Sequence, residues 1–226
     1  MRESTLARSP RAGLGRRQGY PSRVTDYDAE LPPGYKLVPA RTTYLEMPCN
    51  ETPGYPEIPT DCAVARWERP PLPEYRALFR AVGGEWGWTG RLLLSDGDLR
   101  ELLDQPDIEI YLLACGSRPA GFAELDRRVP GEVEIVYFGL VPEFIGRGLG
   151  KFLLRWTVQR AWRGREGDAA DGPGGPAVST RRVWLHTCEF DHPGAVAAYR
   201  KAGFRIFDER TEMQPYPEAF LAKLGR

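Results

Sequence analysis

The sequence predicts an α/β fold in which a mixed sheet carries helices on both faces, and three observations predict it. Three strand-like runs follow one another between Ile108 and Val141, joined by links so short that only antiparallel hairpins fit. Apolar residues recur at helical spacing before and after them, at Tyr75, Leu78, Phe79 and Val82 and again at Leu149, Phe152, Leu153 and Trp156. A second strand, helix, strand succession then completes the chain. The order is strand, two helices, three strands, helix, strand, helix, strand, which closes into one layered core.

Each element has a local reason. "TTYLEM" (Thr42 to Met47) has the β-branched and aromatic content of a first strand. Pro48, Pro53, Pro56, Pro59, Pro70, Pro71 and Pro73 then exclude regular structure over most of the next interval. "PEYRALFRAV" forms a helix that Gly83-Gly84 ends, and a short helix from Asp98 to Leu103 is capped by Ser95 or Asp96. "IEIYLLACG", "PAGFAELDRR" and "EVEIVYFGLV" form the meander. The helix after Gly150 ends near Gly164, with the aliphatic stem of Arg160 at the edge of its apolar face. "RRVWLHTCEF" is a strand, and "HPGAVAAYRKAGF" is a helix begun by Pro193 that places Ala195, Ala198, Tyr199 and Ala202 on one face. "FRIFDERTEM" closes the sheet.

The chain has 226 residues, 42% hydrophobic and 27% charged, with 31 basic and 31 acidic side chains. That describes one soluble domain with appendages, and the balanced charge gives no general attraction to nucleic acid or an acidic membrane. A small or locally recognised partner is expected, with the chain a monomer or homodimer. Residues 1–34, rich in Arg, Ser and Gly, read as a disordered tail; residues 35–226 read as the domain, with a flexible Gly/Pro loop at 164–180. The tail's composition resembles an organelle transit peptide, but Glu3 and the lack of an amphipathic pattern argue against that, and an overextended start site reads equally well. Cys49, Cys62, Cys115 and Cys188 show no CxxC spacing and no secretory segment precedes them, so reduced thiols in a cytoplasm are expected. His186, Cys188 and His192 match no common zinc spacing, and no metal is expected.

The most informative stretch is "EFIGRGLGKFLL" from Glu143 to Leu154. Glycine weakens a helix, so three glycines at a helix start need a reason. A dinucleotide fingerprint fails, because counting from Gly146 or Gly148 its third glycine would fall on Lys151 or Leu153. A Walker loop fails too, needing glycine at Ile145 and a hydroxyl at Phe152. What remains is the physics both share: backbone N–H groups at a positive helix end cradle an anion, with phosphate the natural occupant. A tight turn that holds nothing is the plain alternative.

"EIVYFGLVPEFIGRGLGKFLL", followed by "HPGAVAAYRKAGF", resembles the acetyl-coenzyme A binding core of the GNAT superfamily of N-acetyltransferases. The resemblance runs from about Tyr35 to Met213 and is most specific between Glu132 and Phe204. It implies a largely antiparallel sheet of six to seven strands whose central strands splay to form the coenzyme cleft. Gly148 and Gly150 match the family's Gln/Arg-x-x-Gly-x-Gly/Ala pattern, while Ile145 stands at its Gln/Arg position and Arg147 is the candidate replacement. By the same resemblance, acetyl-CoA is the acetyl donor, held by Gly139, Leu140 and Val141 along the pantetheine arm and by Ile145, Gly146, Arg147, Gly148, Leu149, Gly150 and Lys151 at the pyrophosphate. His192 stands where the family often has Asn, seven residues before the tyrosine of an intact Tyr-x-x-x-Gly-Phe pattern at Tyr199, Gly203 and Phe204.

Amide formation from a thioester needs an unprotonated amine and a proton for the departing thiolate. Glu134 shares its strand face with Glu132, Val136 and Phe138 by simple alternation, an apolar edge that suits a base near neutral pH. The loop alignment also puts it where histone-acetylating members of the family have their base. His186 is the rival base or a core histidine, and Tyr199 is the acid that the resemblance implies. Glu124, with Asp126 on its face, is a candidate for holding a cationic acceptor or a solvent-facing carboxylate; Trp86, Trp88 and Tyr75 are either an aromatic wall over the acceptor or ordinary packing. The implied activity is acetyl transfer to a primary amine of a small molecule or peptide in a ternary complex. Ile145 and His192 leave a second reading open, a coenzyme-binding protein that does not turn over.

Overall fold

The computed structural model describes residues 31–50, 54, 57–164 and 179–226. The expected tail up to residue 30, and residues 165–178 of the expected Gly/Pro loop, lie outside the described residues. Seven strands, β1 (Tyr35–Met47), β2 (Cys62–Arg66), β3 (Ile108–Cys115), β4 (Arg118–Asp126), β5 (Glu132–Leu140), β6 (Arg182–Cys188) and β7 (Arg205–Pro217), form one sheet in the order β2-β3-β4-β5-β6-β1-β7. Every neighbouring pair is antiparallel except β5 and β6. This is the mixed, largely antiparallel sheet expected. Among the described residues no helix is long and apolar enough to cross a membrane.

Helices α1 (Leu72–Gly83) and α2 (Asp96–Leu103) cover one face of the β3–β5 half, where Tyr75, Phe79, Leu99 and Leu102 bury against Ile108, Ile110 and Phe122. The Ser95 hydroxyl caps α2 by accepting from Asp98 N at 3.1 Å, one of the two caps expected. Helices α3 (Leu149–Trp162) and α4 (Ala195–Lys201) cover the other face, with Leu154, Val158 and Ala161 packed on Leu45, Leu125, Val133 and Leu185. Full burial of each such aliphatic side chain stabilises by about 1.5–3 kcal/mol, which fixes α3 and therefore the loop that precedes it. A terminal helix α5 (Glu218–Lys223) packs Phe220 and Leu221 with Ala40 and Tyr216.

Four expectations are corrected here. The proline-rich interval does hold a strand, because the five residues of β2 contain no proline and an edge strand needs only one bonded neighbour. The expected reduced state fails for two thiols: β2 and β3 pair with Cys62 directly opposite Cys115, and the two are joined as a disulfide. Cys49 and Cys188 lie outside that disulfide. Arg160 does not merely lay its stem at an edge; its guanidinium is buried with Glu109 at 3.2 Å.

Strand β5 departs from simple alternation. Glu124 pairs with Tyr137 but Leu125 pairs with Ile135, so Val136 is an extra residue, a bulge. The bulge shifts the alternation by one. Glu134 therefore shares a face with Tyr137, opposite Asp126 and Glu124, and not with Phe138, which turns to the α3 side.

Candidate active site

The parallel pairing of β5 with β6 lasts only from Glu132↔Arg182 to Ile135↔Leu185. Beyond it β5 stays on β4 as far as Leu140 while β6 stays on β1 as far as Cys188, so the two part in the middle of the sheet. Strand twist and the Val136 bulge both favour such a parting. The gap opens into a cleft of about 740 Å³ lined from one face by Trp86, Trp88, Tyr137 and His186 and from the other by Phe138, Leu154 and Tyr199.

One end of the cleft is the glycine loop. A 3-10 turn (Pro142–Phe144) anchored by buried Phe144 leads to Gly146 at φ +85° and Gly148 at φ +79°, the latter being the N-cap of α3. Both angles lie in the left-handed region that disfavours a side chain, and a Cβ at either would meet nothing within 4 Å. The loop is thus open on its outer side, where the first N–H groups of a 14-residue helix have no intrahelical partner. Lys151 and Arg155 line the cleft beside it, as do Ile145, Gly150, Gly139 and Leu140.

Other residues expected at the coenzyme sit differently. Arg147 lays its guanidinium over the Phe144 ring, 5.2 Å from the centroid, and Arg155 takes the cleft position instead. Leu149 is a core anchor, 2% exposed, so only its backbone is available to a ligand. Val141 N donates to Ala120 O at 2.9 Å and is already satisfied. His192 Nδ1 accepts from Gly194 N at 2.9 Å, and its ring lies 5.2 Å from Trp86 at the cleft wall.

Ala195, Ala198 and Ala202, expected on one face of α4 with Tyr199, line the cleft with it and with Ala197, where their small side chains leave room. Tyr199 reaches both regions, lining the cleft while its ring packs on Phe138 and Phe204. Burial first, and then the charge of Asp191, hold its phenol well above the usual range, so it keeps its proton.

The acceptor candidates divide by their contact with the same cleft. Trp86 and Trp88 both line the cleft, and Trp88 donates its indole N–H to Asp191 at 2.9 Å, tying the segment after α1 to the loop after β6. Glu124 does not belong there: it is wholly buried, accepting from Tyr75 at 2.6 Å and paired with buried Arg91 under α1. Tyr75 is likewise core. Neither is available to an acceptor, because the bulge and α1 enclose that face. Glu132 pairs with Arg182 on the next strand at 3.1 Å, as a strand-pairing carboxylate does.

Glu134 and His186 are brought together, with Oε1 and Nδ1 3.3 Å apart. His186 lines the cleft; Glu134, 8% exposed, stands behind it. Burial pushes the imidazole's proton affinity down, but Glu134 by hydrogen bonding and charge, then Asp191 and Glu212 by charge, more than offset this and leave it above its ordinary value. A histidine raised in the folded state stabilises the fold fully below its unfolded value, near pH ~6.5, and loses that contribution as pH rises through the folded value. Denaturant unfolding should therefore show His186→Gln losing more stability against wild type at about pH 5.5 than at about pH 9. An equal loss at both would mean the pair does not titrate. Asp191, Tyr137, Gln214 and Tyr216 are cleft residues that no sequence motif singled out; Tyr137 reaches the site through the bulge, Gln214 and Tyr216 through the long β7, and Asp191 from the loop after β6.

No family model and no curated protein matches the sequence. Solved structures do. A protein from Novosphingobium aromaticivorans assigned to the GNAT family aligns over 84% of this chain and 70% of its own, with TM-score 0.51 and 19% identity. GCN5-related N-acetyltransferases from Kribbella flavida (TM-score 0.51, 19% identity) and Sphaerobacter thermophilus (0.50, 18%) align over 84% and 80% of this chain. This chain spans 63% and 52% of those two proteins. The fold is that of the GNAT-superfamily N-acetyltransferases.

Proposed function

We propose that the protein is an acetyl-CoA-dependent N-acetyltransferase, carrying acetyl to a primary amine of a small molecule or peptide by direct attack in a ternary complex. One observation carries the reading: the β5/β6 gap brings an anion cradle, a histidine and a protonated tyrosine into a single cleft. The cradle fits a pyrophosphate, since its two left-handed glycines leave open space over a helix N-terminus beside Lys151 and Arg155. Acetyl-CoA supplies an activated acyl group and a thiolate leaving group. The chain supplies the rest. The loop and the two cations hold phosphate, the β6-facing backbone of Val136 to Leu140 can pair with amides of a pantetheine arm, and the alanines of α4 leave width for it. Tyr199 holds the proton that a departing thiolate takes.

Acetyl-CoA at about one hundred times its Kd should stabilise the protein by about 2.7 kcal/mol. For a domain of this size that is a rise of roughly 5–10 °C in Tm. Gly148→Val puts a β-branched residue at φ +79° and a side chain over the cradle, so that variant should fold and lose most of the shift. An undiminished shift in folded Gly148→Val would remove the loop from the coenzyme site. Thiol release across a panel of amines and peptides tests transfer itself, and binding without release would leave a coenzyme sensor in its place.

A further inference from the structure

We propose that His186 is the base that takes the proton from the acceptor amine, and that Glu134 is a positioning residue that holds the buried edge of its ring. The proposal rests on the transferase reading above and adds the division of labour between the two side chains.

Access decides the first half. A base must reach the amine, and of the two candidates only His186 is among the residues lining the cleft. Glu134 is almost sealed by β6 and the bulged strand.

Hydrogen-bond accounting decides the second half. His186 is faced by Glu134 from β5, Tyr44 from β1, Asp191 from the loop after β6 and Glu212 from β7, with Trp184 beside it on its own strand. Asp191 is already occupied, accepting from Trp88 Nε1, Thr187 Oγ1 and Cys188 N. Glu212 accepts from the Tyr44 hydroxyl at 2.8 Å. Glu134 Oε1 and His186 Nδ1 are both buried without a well-formed hydrogen bond, at 3.3 Å from one another. Buried polar atoms left so are costly, and a small rotation lets each satisfy the other. A carboxylate accepts only, so Nδ1 must carry the hydrogen and Nε2, on the far edge of the ring, is left as the acceptor toward the cleft. The rings of Tyr44 and Trp184, at 5.7 and 6.5 Å, fix the plane.

The step balances. The amine nitrogen bonds the acetyl carbon and gives a proton to Nε2, the carbon–sulfur bond breaks, and the sulfur takes the Tyr199 proton; the imidazolium and phenolate left behind reset through solvent. Glu134, 3.3 Å from Nδ1, supports the imidazolium as it forms.

The chain has two histidines, so its imidazole NMR spectrum is simple to assign. In the ligand-free protein, the signals removed by His186→Gln should show the neutral ring protonated on Nδ1, and in Glu134→Gln the same ring should titrate at lower pH. A neutral ring protonated on Nε2 overturns the proposal whatever the turnover. In the transfer assay His186→Gln should lose about 10²–10⁴-fold. Glu134→Gln should keep an acidic limb that is moved to lower pH, with a reduced plateau. If that limb instead vanishes, Glu134 is itself the base and the proposal fails; an unaltered rate in His186→Gln also overturns it. Wild-type protein that binds coenzyme but acetylates no amine would remove the transferase reading, and the base with it, even if the tautomer is as expected.

Discussion

Replacing Tyr199 with phenylalanine is expected to slow acetyl transfer by about 10²–10⁴-fold while leaving the coenzyme-induced rise in Tm intact. Phenylalanine keeps the ring contacts with Phe138 and Phe204 at 6.4 and 6.2 Å, so the packing of α4 survives and only the hydroxyl is lost. Tyr199 lines the cleft and, because burial and the Asp191 charge both disfavour the phenolate, its hydroxyl stays protonated at any ordinary assay pH. It is therefore a donor and not a base. Single-turnover thiol release separates the outcomes. A rate loss at unchanged coenzyme affinity identifies the acid, and no limb of the pH–rate profile should disappear with it. Full activity in Tyr199→Phe would mean that the thiolate departs without a proton from the protein, and the acid role would be withdrawn.

How much of this the sequence held depends on whether the signal was local. Helix α3 and its loop were legible because the 3.6-residue period and the need for φ > 0 at Gly146 and Gly148 are properties of a few adjacent residues. The meander was legible for the same reason, its links being short. What escaped depended on neighbours far along the chain. The five-residue β2 exists only because β3 offers an edge, and the disulfide exists only because that pairing sets Cys62 opposite Cys115. The bulge at Val136 has no composition of its own, yet it decides that Glu134 faces with Tyr137, while the β5/β6 register sets it beside His186. Simple alternation therefore placed Glu134 on the wrong face, and made a solvent-facing or substrate-holding group of Glu124, which α1 in fact buries against Arg91 and Tyr75.

Arg160 shows the same limit and leads to the largest stability effect expected. Its side chain looked like the edge of an apolar stripe, but it joins Arg66 and Arg127 around Glu109, which is 0% exposed, at N–O distances of 3.2, 3.4 and 3.1 Å. Tyr111 donates to the same carboxylate at 3.0 Å, and burial together with that charge pushes its phenol up to about 12. Three guanidiniums around one carboxylate leave an excess of positive charge, which the end of α3 absorbs. Arg127 donates to the carbonyls of Arg160 and Ala161, and Arg160 to that of Gly164, where a helix C-terminus favours cations. The cluster thus ties β2, β3 and the end of β4 to the helix that carries the glycine loop. Removing one partner of a buried ion pair costs about 3–5 kcal/mol, because the remaining charges have lost their hydration and gained nothing. Glu109→Ala should accordingly lower Tm by roughly 6–20 °C, and Glu109→Gln, which keeps the shape and removes the charge, by nearly as much. Glu101→Ala, at an exposed position on α2, should stay within about 0.5 kcal/mol of wild type. The loss should also reach function at a distance, since α3 holds the cradle: coenzyme affinity should fall in Glu109→Gln although no atom of Glu109 touches the cleft. Melting curves for Glu109→Ala and Glu109→Gln that overlay the wild type would mean that the arginines find water or other partners there, and that apolar packing alone fixes α3.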